Sequence, residues 1–214
     1  MSIAIEDVSI AVFLALAIEF AILYAIKLFI KGKNGKGFWD FAKAPDGYPS
    51  LPRFQAVLWS IVVFFAFLSV YFVRLRAGQF EINQRIPTNL LSLIGITMAS
   101  NVAGSAISQI KSGNPTNPDN PSGPNTDEPQ PPWRSMLEEK DKPSTTRFQM
   151  FAFTLIGIVI YIVTLLSYLY GPQVITIDVG ALGNIAIPEV DTTMLGVMGF
   201  SNAGYLFGKW SDLS

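Results

Sequence analysis

Apolar residues run in long blocks along this chain, and polar residues collect between them. Five blocks stand out, at about 8–30, 54–73, 90–110, 148–170 and 194–207. A helix needs about 20 apolar residues to cross a hydrocarbon core. The pattern therefore predicts an all-α integral membrane protein with five transmembrane helices. The third block is the least apolar, and the fifth is short and rich in small residues. The first block does not read as a cleaved signal. Its apolar run is too long, no basic region precedes it, and Lys27, Lys31, Lys33 and Lys36 follow it.

Composition agrees with this picture and narrows the chemistry. Of 214 residues, 50% are hydrophobic and only 14% charged. The formal net charge is −1, so no bulk basic field invites nucleic acid. Cysteine and histidine are both absent. Disulfides, thiolate metal sites and cysteine nucleophiles are excluded, and zinc, haem and His-based acid–base chemistry lose their usual groups. No nucleophile elbow, phosphate-cradling glycine loop or intramembrane carboxylate cluster is present. The expectation is a protein without metal, cofactor or enzymatic activity.

The connections divide by charge. Residues 31–53 hold Lys31, Lys33, Lys36, Lys43 and Arg53, and residues 111–147 hold Lys111, Arg134, Lys140, Lys142 and Arg147. Lys27 adjoins the first of these and Lys209 follows the last span. The opposite side has only Arg74, Arg76 and Arg85, and the 171–189 loop has no Lys or Arg. The positive-inside rule puts the N-terminus outside and the C-terminus in the cytoplasm. Aromatic residues flank the spans as interface anchors, among them Phe38, Trp39, Tyr71, Tyr168, Tyr170 and Trp210.

An internal duplication is the most specific pattern. Arg53-Phe54-Gln55 opens the second span and Arg147-Phe148-Gln149 opens the fourth. A proline and a hydroxyl residue precede each, Ser50 with Pro52 and Pro143 with Ser144. The third and fifth spans also align, Gly95 on Gly199, Ala99 on Ala203 and Gly104 on Gly208, each after an Ile-Pro pair. The chain thus reads as one leading helix plus two helical hairpins of the same topology, a parallel repeat. In each hairpin the hydroxyl can cap the helix, while Arg53 with Gln55 and Arg147 with Gln149 sit at the interface, where Arg can reach lipid phosphate. Small residues recur four apart on the returning helices, at Ala99/Ala103, Ser100/Gly104 and Gly204/Gly208, a spacing that permits close helix packing.

This layout resembles a family of bacterial membrane proteins without an established activity. They pair a Ser/Pro-Arg-Phe/Leu-Gln helix with a helix reading Gly-Ile-Ser-small-small-x-Tyr-x-Gly-x-Lys. The second hairpin is similar to that pattern from Gly199 through Tyr205 and Gly208 to Lys209. The first departs from it, with Asn101 at the Tyr position and Ser105 at the Lys position. The resemblance implies the bacterial inner membrane.

Five segments follow. Residues 1–30 are an outer tail and leading helix, 31–53 a basic, aromatic cytoplasmic connection, and 54–110 the first hairpin. Residues 111–147 are a cytoplasmic linker, flexible and Pro-rich at 112–132, and 148–214 the second hairpin with its outer loop at 171–189. Residues 133–140 read as a short surface helix. Alternation at 174–187 around Gly180 and Gly183 predicts a small outer β-hairpin.

Glu19 is the ionisable side chain near the middle of a span. Leaving it charged in lipid costs roughly 3 kcal/mol or more, so it marks a functional position or interhelical glue. Its candidate partners are Ser100, Asn101, Ser105, Ser201 and Asn202. The first expectation is a non-enzymatic membrane subunit that assembles laterally, as a homo-oligomer or within a larger complex. The alternative is a homo-oligomeric channel with Glu19 near the path. In that case Ser92, Thr97, Ser100, Asn101, Ser105 and Ser108 line it on the third helix. Gly104, Gly199, Ser201, Asn202, Gly204 and Gly208 serve as pore or packing positions.

Overall fold

A computed structural model describes residues 4–34, 38–43, 49–78, 86–111, 133–139, 142–171 and 186–211. The linker at 112–132 and most of the expected outer β-hairpin lie outside the described residues. The chain is predominantly helical: α1 (Ile5–Asn34), α2 (Leu51–Arg76), α3 (Thr88–Lys111), α4 (Thr145–Leu169) and α5 (Thr192–Ser211). Among the described residues, four stretches are long and apolar enough to cross a membrane: Ile5–Leu28, Leu51–Arg76, Thr88–Ile107 and Thr145–Leu169. The fifth block does form a helix, but Thr192, Thr193, Ser201 and Asn202 dilute it, and it is not among the four.

Two five-residue 3-10 helices precede long helices, Phe38–Ala42 before α2 and Trp133–Leu137 before α4. The surface helix expected at 133–140 is therefore shorter. It stops at Leu137 because Glu138–Glu139 (β1) pair antiparallel with Lys142–Pro143 (β2).

The packed residues form two compact units. One contains Met1–Phe38, Trp59–Leu91 and Gly157–Asp191; the other contains Trp39–Leu58, Ser92–Ile156 and Thr192–Ser214. α1 belongs to the first and α5 to the second, while α2, α3 and α4 each contribute to both.

In the first unit α1 buries Val8, Ala11, Ala15 and Glu19. Steps of three and four put these on one helical face. Ala11 and Ala15 are small enough for a neighbouring backbone to come close. Trp59 of α2 meets Tyr161 of α4 edge-on, with centroids 6.2 Å apart, the orientation that ring quadrupoles favour. Polar ties join the helix ends. Arg76 Nη2 lies 2.6 Å from Asp7 Oδ1, Asn89 Nδ2 donates to Val190 O at 3.2 Å, and Tyr161 Oη donates to Pro188 O at 3.3 Å. α2 ends at Arg76, and Gly78 two residues on has a φ of +80°, the left-handed conformation that terminates helices without a Cβ penalty.

In the second unit Leu51, Met136 and Met150 form a buried cluster, with Phe54, Phe151 and Tyr205 packed on it. Phe54 stacks on Phe151 at 6.0 Å and tilts against Trp133 at 6.5 Å. The aromatic that opens α2 is thus half-buried among other rings, whereas Phe148, its counterpart on α4, is exposed.

Candidate functional site

Two places among the described residues stand out: the polar entries to α2 and α4, and the buried carboxylate of Glu19.

At the entry to α2 the chain reverses after its 3-10 helix. Ser50 N donates to Ala42 O at 2.8 Å, and Lys43 forms an antiparallel bridge with Pro49. Ser50 O then accepts from Phe54 N at 2.9 Å, so Ser50 is the residue from which the helix starts. Pro52 fits here because the first turn of a helix has backbone N–H groups without helical partners. One turn on, Arg53 reaches back. Its Nη1 donates to Lys43 O at 2.8 Å and its Nε to Asn101 Oδ1 on α3 at 3.0 Å.

The entry to α4 repeats these contacts. Ser144 N donates to Leu137 O at 2.9 Å, Glu138 pairs with Pro143, and Ser144 O accepts from Phe148 N at 3.0 Å. Arg147 Nη1 donates to Glu138 O at 2.7 Å. The rest of its guanidinium lies over the Tyr205 ring of α5, 5.7 Å from the centroid. The register that aligns Gly104 with Gly208 also aligns Asn101 with Tyr205. Each arginine therefore meets the same position of its returning helix.

The glutamines diverge. Gln55 is buried and donates through Nε2 to Met150 O at 3.2 Å and to Thr154 Oγ1. Its Oε1 is enclosed without a partner among the described residues. Gln149 is exposed. One triplet thus has an inward and an outward version.

The polar positions of α3 and α5 mostly bond to their own helices. Thr97 Oγ1 donates to Ile94 O at 2.8 Å, Ser100 Oγ to Ile96 O at 2.9 Å, and Ser105 Oγ to Asn101 O at 2.8 Å. Asn202 Nδ2 donates to Met198 O at 2.8 Å. Ser92 is half-buried, and Gly104 is buried. Ser201 Oγ is enclosed and has no partner among the described residues. A Cβ on Gly199 would lie 3.9 Å from Ile96 Cδ1, and one on Gly204 3.7 Å from Thr146 Cγ2, both ordinary contacts. A Cβ on Gly208 would meet nothing within 4 Å. Close approach inside the chain does not require these three glycines.

Glu19 lies in the first unit and is 6% exposed. Its Oε1 is enclosed and has no hydrogen-bond partner among the described residues. Glu19 lines a cavity of about 390 Å³ whose other walls are apolar: Leu16 and Phe20 of α1, Ile61 and Phe65 of α2, and Leu166 of α4 among them. Leu16 and Phe20 are themselves exposed, so the cavity is a groove with an open side. Glu19 is marked in the sequence as a lone carboxylate in an apolar run. The groove joins residues far apart along the chain and carries no comparable mark.

No family model, curated protein or solved structure matches the chain. The fold defines a helical protein with four helices long and apolar enough to cross a membrane, consistent with membrane integration.

Proposed function

We propose that this chain is a non-enzymatic membrane subunit that assembles laterally, with copies of itself or as an accessory component of a larger membrane complex. The observation that carries this reading is the outward face of α5. Phe200 and Phe207 are 83% and 73% exposed, and Ala203 and Gly204 between them are exposed too. Positions 200, 203, 204 and 207 share one helical face, so two large side chains flank a shallow saddle. In lipid, helices associate through close packing of such surfaces. α5 is also not among the described helices long and apolar enough to cross a membrane, and a protein neighbour suits its polar residues Thr192, Thr193, Ser201 and Asn202 better than hydrocarbon.

In this reading the chain crosses the bacterial inner membrane five times, as a leading helix and two hairpins in parallel repeat. Its N-terminus is outside and its C-terminus cytoplasmic. The distribution of lysine and arginine supports the orientation. The matched contacts of Arg53 and Arg147 support the repeat.

The chain has no cysteine, so Gly204→Cys creates a unique crosslinking site. Oxidation in native membranes should join Gly204→Cys chains to each other or to a second polypeptide carrying a thiol. The purified chain in mild detergent should run above monomer mass or with that polypeptide. A homogeneous monomer with no crosslink refutes the reading.

A pore beside Glu19 is the second reading, favoured by the burial of that carboxylate. The hydroxyls of Thr97, Ser100 and Ser105 weigh against it, because they donate to their own helix backbone. Liposomes containing the chain should pass cations in this reading, and Glu19→Gln should alter the selectivity. Absence of flux removes it.

A further inference from the structure

We infer that the groove around Glu19 binds a lipophilic organic cation, an ammonium or phosphonium ion with an apolar body that partitions into the bilayer. This goes beyond lateral assembly and does not depend on it.

The argument starts from charge. Glu19 is more than nine-tenths buried, its Oε1 has no hydrogen-bond partner among the described residues, and no Lys or Arg lines the groove. A buried carboxylate is expensive when ionised and alone, and a cation beside it offsets that cost. The walls then select the kind of cation. A bare Mg²⁺ or Ca²⁺ needs about six oxygen ligands, and this groove offers one carboxylate. An organic cation needs one counter-charge and apolar contact for the rest of its surface. Leu16, Ile61 and Leu166 supply that contact. Phe20 and Phe65 add aromatic rings, whose faces attract cations.

Size and access agree. The volume of about 390 Å³ falls within the range of small-molecule sites, roughly 300–1,000 Å³. Leu16 and Phe20, which line the groove, are both exposed. A ligand dissolved among lipid tails meets the groove at these residues without crossing water.

The test is equilibrium binding of radiolabelled tetraphenylphosphonium to the purified full chain in a mild non-ionic detergent. Tetraphenylborate, of matching shape and opposite charge, is the control. Saturable binding of the cation is expected, with at least tenfold weaker binding to Glu19→Gln and no saturable binding of the borate. Val12→Phe narrows the groove and leaves Glu19 in place, and it too should weaken cation binding at least tenfold. It carries the test if Glu19→Gln fails to give a monodisperse helical protein. No saturable cation binding to the wild type overturns the inference. So does equal binding to folded Glu19→Gln, undiminished binding to folded Val12→Phe, or equal uptake of the borate.

Discussion

Replacing Arg53 by alanine tests whether the reversal before α2 holds the helix pair together. The substitution removes the bond from Nη1 to Lys43 O and the bond from Nε to Asn101 Oδ1. A hydrogen bond to a charged group contributes about 1.5–3 kcal/mol. Both bonds are only partly buried, so water replaces part of each when the side chain goes. The expected net loss is about 2 kcal/mol, near the middle of the range for single substitutions. Asn101→Ala removes only the second bond and should cost about 1 kcal/mol. If the two residues act through that bond, the double variant is no worse than Arg53→Ala, and the coupling is about 1 kcal/mol. Arg53→Lys keeps the charge but cannot direct two donors along fixed lines, so it should recover less than half of the loss. The assay is reversible unfolding in mixed micelles as the denaturing detergent fraction rises, followed by helical circular dichroism. Equal stability of Arg53→Ala and wild type refutes the reasoning, as does strict additivity of the two single variants.

Substitutions at two further positions separate packing from strain. Gly78→Ala puts a Cβ where there is free space but where φ is +80°. It should destabilise by about 1 kcal/mol through backbone strain alone, and Gly78→Asn, which tolerates this region better, by less. Gln55→Leu removes two donated bonds but also an enclosed oxygen that has no partner among the described residues. Thr154 Oγ1 still donates to Met150 O in that variant. The stability change should stay within about 1 kcal/mol, and a loss above about 3 kcal/mol in the same unfolding assay contradicts this account.

The long helices were legible because a run of apolar residues has one reading at this length. The runs at 8–30, 54–73 and 90–110 fall inside described helices, and that at 148–170 passes the end of α4 by one residue. α5 was legible as a helix, but it is not among the described helices long and apolar enough for the same inference. The site was legible only in part. Glu19 announces itself as a carboxylate among apolar neighbours, but Phe65 and Leu166 are brought beside it by packing that no local pattern records. Arg53-Phe-Gln and Arg147-Phe-Gln are identical as strings and differ in what they touch. Gln55 is buried and bonds to Met150 O, whereas Gln149 is exposed. That difference belongs to the neighbouring helix in each case and has no trace in the triplet.

The arginines also explain why similarity between the segments that enter α2 and α4 fades where it does. Both guanidinium groups are anchored on a backbone carbonyl, that of Lys43 before α2 and of Glu138 before α4. These residues carry opposite charges, yet their carbonyls are the same acceptor in the same place. A backbone anchor constrains the path of the chain and leaves the side chain free. Sequence similarity can therefore disappear upstream of Ser50 and Ser144 while the contacts persist. At the second contact the reverse holds, because a side chain has to face the cation. Asn101 does so with a carbonyl oxygen and Tyr205 with the face of its ring. Both present negative potential to the guanidinium, one in a fixed direction and one over a broad surface. What the proposed repeat conserves at that position is a demand for negative potential, and an amide and a phenol ring both meet it.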